Sequence, residues 1–216
     1  MRISLIIPVY EDAAALERNL PRGFDEVIVV DASRAEPVRP ERLPAGTIVL
    51  RSAEADRATQ MNAGAERAGG EGLLFLHADT VLPEGAAEAV RKALARPGVV
   101  GGGFRRRFDH SSHFLRWTCR LASWRSRTIG WFLGDQGIFA RRETFEGLGG
   151  YSQLRAFEDL DLCRRMKRCG TLRCLDLVAV SSGRRFAGGA VRQTCRDVGM
   201  TIRYLLRGKR AFADTK

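Results

Sequence analysis

No Cys-x-x-Cys pair occurs in this chain, although it holds five cysteines, Cys119, Cys163, Cys169, Cys174 and Cys195. An odd number without that spacing argues against a disulfide framework and against a structural zinc site. Cys163, Cys169 and Cys174 are close in sequence but lack zinc-ligand spacing, so the thiols are expected to be reduced and mostly packed, as in a cytoplasmic protein. No apolar run reaches the ~18 residues needed to cross a bilayer. The apolar segment 3–9 is interrupted by Pro8 and followed at once by Glu11-Asp12, which makes it too short for a signal peptide. Repeats and low-complexity linkers are absent. Histidine is scarce: three in 216 residues, none after His113. Acid is short as well, since 25 Asp+Glu against 36 Lys+Arg leave a formal charge of +11. That balance points to anionic partners: nucleic acid, an acidic membrane surface or a phosphorylated small molecule. The excess is mostly arginine, which suits bidentate phosphate contacts.

What remains is an ordinary globular composition, 44% hydrophobic and 28% charged, in a length that suits one domain with a real core. Residues 3–9 read as a buried strand and residues 13–20 as a helix that Asp12 can cap. Residues 26–30 read as a second strand closing on Asp31-Ala32-Ser33. This β–tip–α–β–tip order is the signature of a parallel sheet. A loop over 34–46, a short strand over 47–50 and a small-residue helix over 58–68 follow. Small residues let that helix press closely on the sheet. Beyond Pro97 the glycines of 99–104 suit a strand that admits another backbone or a ligand. A helix is expected over 111–128, with Phe114, Trp117, Leu121 and Trp124 on one stripe and Arg116, Arg120, Arg125 and Arg127 between them. The stripe reads first as core-facing; the alternative is a membrane surface or an acceptor groove. Further elements are a strand over 138–140, helices over 143–148 and 157–169, and one or two strands over 171–180. A basic turn over 183–189 and an amphipathic helix over 191–206 complete the chain.

The stretch 72–85, GLLFLHADTVLPEG, is a buried strand running into a polar tip. Open parallel sheets keep their ligands at such carboxyl ends. In extended chain, His77 and Asp79 would point to the same side and could hold a divalent metal. Asp79 could equally cap the helix that Pro83-Glu84 starts. Acids at three strand tips, Glu11/Asp12, Asp31 and Asp79, suggest a cleft for a metal and a polar heterocycle or sugar.

The segments SLIIPVYED, VIVVDAS, ATQMNAGA, LLFLHADT, GDQGIFARRETFEGLGGY and FEDLDLCRRMKRCG lie in order over about residues 3–170. In these the chain resembles the family 2 glycosyltransferases, which have the GT-A fold. It is most similar to a small, mainly bacterial subgroup with His-Ala-Asp, discussed in connection with arsenosugar biosynthesis. The resemblance implies an α/β fold with a mixed, mostly parallel central sheet flanked by helices. It puts Pro8, Tyr10 and Glu11 at the nucleotide base, Asp31 at the uracil or ribose, and Arg57 and Asn62 near the base and diphosphate. Asp79 matches the last acid of the family's Asp-x-Asp, which meets Mn²⁺ or Mg²⁺. His77 replaces the first, as a neutral metal ligand or a hydrogen-bond donor to the ribose. Glu158-Asp159 matches the pair that supplies the general base, with Asp159 favoured and Asp161 as the alternative. Asp135 and Gln136 match the loop beside donor and acceptor sugars. Arg184-Arg185 fall where relatives reach the diphosphate or metal; a solvated surface pair is the other reading.

The function implied is inverting, metal-assisted transfer of a hexosyl group from a nucleotide-diphosphate sugar to the hydroxyl of a small or lipid-linked acceptor. The expectation is a single domain, with a nucleotide half over 1–105 and an acceptor half over 106–216. A cytoplasmic location is expected, peripheral contact with an anionic membrane is allowed, and nucleic acid is not an expected partner. A sugar-phosphate nucleotidyltransferase is a rival reading, but Tyr10-Glu11-Asp12 stands where its Gly-rich phosphate loop should be. The other rival is a basic nucleic-acid- or membrane-binding module with a decayed transferase site.

Overall fold

The computed structural model describes residues 1–208 and Phe212. Its first half follows the β–α order of the sequence. β1 (Ile3–Val9), β2 (Glu26–Asp31), β3 (Ile48–Arg51) and β4 (Gly72–Phe75) are linked by α1 (Ala13–Asn19) and α2 (Arg57–Arg67). β1 is apolar except for Ser4 because both of its faces are covered. Ile3, Leu5, Ile7 and Val9 pack with Leu16 of α1 and with Val90 and Leu94 of α3 (Ala86–Leu94). Ile6, pointing the other way, packs with Ala58, Met61 and Ala65 of α2. A Cβ on Gly64 of α2 would come within 2.5 Å of Ile6 Cγ2, so the small residue sets how closely helix and sheet approach.

The remaining strands are β5 (Thr80–Val81), β6 (Val99–Asp109), β7 (Ile138–Arg141) and β8 (Thr171–Ser182). All eight form one mixed sheet in the order β3-β2-β1-β4-β7-β6-β8-β5. β1 pairs in parallel with β2 and β4, β2 with β3, and β6 with β8; β7 runs antiparallel to β4 and β6, and β5 to β8. β6 is longer than the sequence pattern suggests and includes Arg105 to Arg107. What its glycines admit is backbone: Gly102 has φ 158°, and a Cβ there would overlap the Arg173 carbonyl of β8. The segment beyond 171 is one strand carried past an irregularity in register, not two.

The helices of the second half are α4 (His113–Ile129), α5 (Arg142–Gly147), α6 (Glu158–Cys169) and α7 (Ala190–Arg207). Three sequence expectations are corrected here. Asp12 makes no side-chain cap to α1; its carboxylate bonds Arg184 instead. Asp79 does not cap α3, which starts after Gly85 in a left-handed conformation at φ 77°. The stripe on α4 exists, but Trp117 and Trp124 are exposed, and the core side is Leu115, Cys119 and Ala122. Among the described residues no helix is long and apolar enough to cross a membrane.

Candidate active site

A cavity of about 800 Å³ opens between the tips of the sheet and the helices α4, α6 and α7. His77 and Asp79 form part of its wall, but not as an extended strand. The Thr80 N–H donates to the His77 carbonyl at 3.0 Å, so 77–80 is a tight turn after β4. β8 pins that turn: the Ser182 N–H donates to the Asp79 carbonyl at 3.1 Å, and the Thr80 and Ser181 hydroxyls bond at 2.7 Å. The period-two argument for His77 and Asp79 therefore does not apply, yet the turn brings both to the cavity. The His77 ring lies so close to Gly134 that a Cβ there would collide with it. Burial, with the charges of Arg57 and Arg185, pushes the imidazole well below its usual range, which favours its neutral form. Burial also pushes the Asp79 carboxyl up; the charges of Asp12 and Asp135 add to this and Arg184 opposes it. Arg184 donates to Asp12 at 2.9 Å and reaches Asp79 Oδ2 at 3.4 Å.

Glu158 and Asp159 stand across the cavity at the start of α6. Phe157 precedes them at φ 67°, an uncommon left-handed value for a residue with a Cβ, and it forms the N-cap. Asp159 Oδ2 accepts from the Gly134 N–H at 2.6 Å, and Oδ1 from the Leu160 N–H at 2.6 Å. Burial first, and then the neighbouring charge of Glu158, raise the Asp159 carboxyl to about 7; the two N–H donors and Arg57 act against that rise. Glu158 pairs with Arg57 at 3.3 Å. A carboxyl poised near neutrality in a cavity has the properties of a general base.

Asp161 is turned elsewhere. It accepts from Ser152 Oγ and Arg165 Nε, both at 2.8 Å, and does not border the cavity.

Several other expected site residues do not border this cavity. Asp31 is fully buried and does not border the cavity. Its oxygens accept from the Ser33 and Val38 N–H groups, each at 2.8 Å, and from Arg51. The picture of three strand tips meeting at one cavity thus holds for Asp79 and not for Asp31. Asn62 exchanges two bonds with the Tyr151 backbone, at 2.9 and 2.8 Å. Gln136 is wholly buried; its amide donates to the Phe104 carbonyl at 2.9 Å and to Ser126 Oγ at 3.0 Å. It is therefore in no position to bond a sugar hydroxyl. Pro8 lies buried in β1, and the Tyr10 ring is exposed beside it. Glu11 accepts from the N–H groups of Arg34, Ala35 and Glu36 at 2.7 to 3.0 Å, which holds its carboxyl below the usual range.

Asp135, Arg57 and Arg185 do border the cavity. Arg184 stands beside it through Asp79. Arg106 and Arg125 also line it; the sequence reading assigned Arg106 no role, and Arg125 only a place on a basic helix that could lie on a membrane or line an acceptor groove. Arg106 bonds Asp135 at 3.0 Å, and the buried Nε atoms of Arg106 and Arg125 have no partner among the described residues. The signal for Arg106 is its place in β6, where alternation points it away from Arg105 and Arg107.

A model of the family described as glycosyl transferase family 2 matches residues 4–148. No curated protein matches the chain. Among solved structures, the chain is similar to a mannosyltransferase, PcManGT from Pyrobaculum calidifontis, in complex with GDP-Man and Mn²⁺. The identity is 22% and the TM-score 0.65, over 83% of this chain and 56% of that one. It is similar to S. aureus TarS 1-349 in complex with UDP-GlcNAc, at 13% identity and a TM-score of 0.57, over 84% of this chain and 58% of that one. A third is GalNAc-T7 with UDP, GalNAc and Mn²⁺, at 14% and 0.59, over 84% of this chain and 44% of that one. The chain thus spans little more than half of the longest-matched of these structures. At such identities the likeness is one of fold: α/β and GT-A-like, with a mixed central sheet flanked by helices.

Proposed function

Because the chain belongs to glycosyl transferase family 2, we propose that it moves a hexosyl group from a nucleotide-diphosphate sugar to a hydroxyl acceptor, with inversion. The observation that carries this reading is the sharing of one cavity by Asp79 and Asp159, each displaced upward by burial. An alcohol is a weak nucleophile at pH 7, and a positioned carboxylate can take its proton as the new bond forms. Asp159 takes that proton while the acceptor oxygen bonds the anomeric carbon. The bond from that carbon to the diphosphate oxygen breaks, and the diphosphate leaves with the electron pair. Arg57 and Arg185 face the cavity and Arg184 stands beside Asp79, so cationic groups are at hand for the departing charge.

A divalent cation, Mn²⁺ or Mg²⁺, has a simple donor set here. Among the described residues no three His, Cys, Asp or Glu side chains gather as a metal site. Mg²⁺ is often bound by one or two carboxylates plus substrate phosphates, and Asp79 offers one such carboxylate. Its raised pKa fits this, because a cation would offset the burial of its charge and, secondarily, the repulsion from Asp12 and Asp135. When bound, the metal would supply charge neutralisation at the diphosphate. The neutral His77 ring suits a hydrogen bond to donor or metal-bound groups. The narrower likeness, to the bacterial arsenosugar-linked subgroup, is supported by the tripeptide His77-Ala78-Asp79 alone.

A thermal-shift screen of the full chain with UDP-, GDP- and dTDP-sugars, with and without Mn²⁺, tests the donor. One nucleotide should raise Tm in a metal-dependent way. A flat response to all of them, with no transfer in a coupled assay, defeats the reading.

A further inference from the structure

The cavity has an apolar rim that the proposed chemistry does not use. On one side Trp117, Leu121 and Trp124 of α4 are 57%, 50% and 62% exposed, and all three also line the cavity. On the other side Val198 of α7 lines it, and Ile202, Leu205 and Leu206 continue the apolar surface along the helix. The spacing on both helices is that of a single face. Arginines flank each stripe: Arg116 and Arg120 on α4, and Arg192, Arg196 and Arg207 on α7, all exposed. At ~100° per residue they sit roughly a fifth to two-fifths of a turn from the centres of the apolar stripes. Each helix therefore presents apolar residues next to the cavity mouth and a cationic band further out.

Charge decides what fits against this face. α4 has no acidic residue. α7 has only Asp197, which is engaged by Arg185 at 3.5 Å and Gln193 at 2.8 Å. A second copy would bring arginine against arginine, with nothing on these helices to neutralise it. An anionic bilayer offers both an apolar layer for the tryptophans and phosphates for the arginines. We propose that α4 and α7 dock the protein on an anionic lipid bilayer, with the cavity mouth held at the headgroups. The docking does not depend on the transferase reading, because binding alone reveals it.

The test is co-sedimentation of the full chain with vesicles of phosphatidylcholine, with or without phosphatidylglycerol, at low and high salt. Binding should be at least about tenfold stronger with the anionic lipid and should fall with salt. Tryptophan emission should shift to the blue on binding. The double variant Trp117→Ser with Trp124→Ser, checked for an unchanged Tm, should lose about tenfold in binding. Arg192→Glu with Arg196→Glu should do the same on anionic vesicles alone. Equal binding to neutral and anionic vesicles overturns the proposal. So does unchanged binding by both variants. A lipid-free dimer that the tryptophan variant dissolves would assign the face to a second copy instead.

Discussion

The backbone N–H of Gly134 donates to Asp159 Oδ2 at 2.6 Å, joining the loop that abuts His77 to the first turn of α6. Two walls of the cavity are thereby held in one geometry, and the Asp159 carboxylate is kept oriented. The bond favours the ionised form; burial and Glu158 outweigh it, leaving the group near 7.

If Asp159 is the base, kcat/KM climbs about tenfold per pH unit below neutrality and levels above about 7. Asp159→Asn should lower transfer by roughly 10²–10⁴ while donor binding stays near normal. Stability should move the other way. The unfolded chain releases this proton near 3.8 and the folded one near 7, so between those values the folded state holds more protons. Ionising the buried group therefore removes stability as pH rises through that window. The Asn variant should show a flatter Tm–pH curve than the parent. An activity profile already flat at pH 5, in a fully active parent, would transfer the role to another group.

Arg184 stands between Asp12 and Asp79 on the half-exposed edge of the site. Arg184→Ala should strengthen Mn²⁺ binding at pH 8 by roughly two- to fivefold, a modest change because the pair is solvent-screened. The same variant should weaken binding of a nucleotide diphosphate. Calorimetry with Mn²⁺ alone reads the first effect; weaker Mn²⁺ binding would mean that Asp79 is not where the cation sits.

Asp31 is buried against two backbone N–H groups and Arg51. Asp31→Ala should cost about 2–3 kcal/mol in urea unfolding, because those donors are left unpaired. Unchanged stability together with lost nucleotide binding would restore it to the donor site.

Gln136→Leu should cost about 2–3 kcal/mol, since the buried Phe104 carbonyl and Ser126 hydroxyl each lose a partner. The measurement is again the denaturation midpoint at constant m-value.

The acids were readable as chemistry but not as position. Asp31, Asn62 and Gln136 have side chains suited to a nucleotide or sugar, and nothing nearby in sequence reveals their use. Asn62 meets Tyr151 across 89 positions, and Gln136 meets Phe104 across 32. Such pairings exist only once the chain has folded. Asp159 and Asp161 were separable in principle, because two positions on a helix differ by about 200° and face different neighbours. Helical period also grouped Trp117 with Trp124 correctly. It could not tell that α4 would pack through Leu115 and Cys119 against Phe108 and Phe186, leaving the tryptophans outside.

Local pattern by itself determined the elements, since period and apolar runs are properties of neighbouring residues. It placed the buried β1, β2 and β4, the close-packed α2, and the acids Asp79 and Asp159 at element ends. Only the tertiary structure decided which polar groups face the cavity and which are consumed inside the scaffold. A buried donor or acceptor is satisfied by whatever the sheet order brings beside it, and that order joins residues a hundred positions apart, as Thr80 meets Ser181.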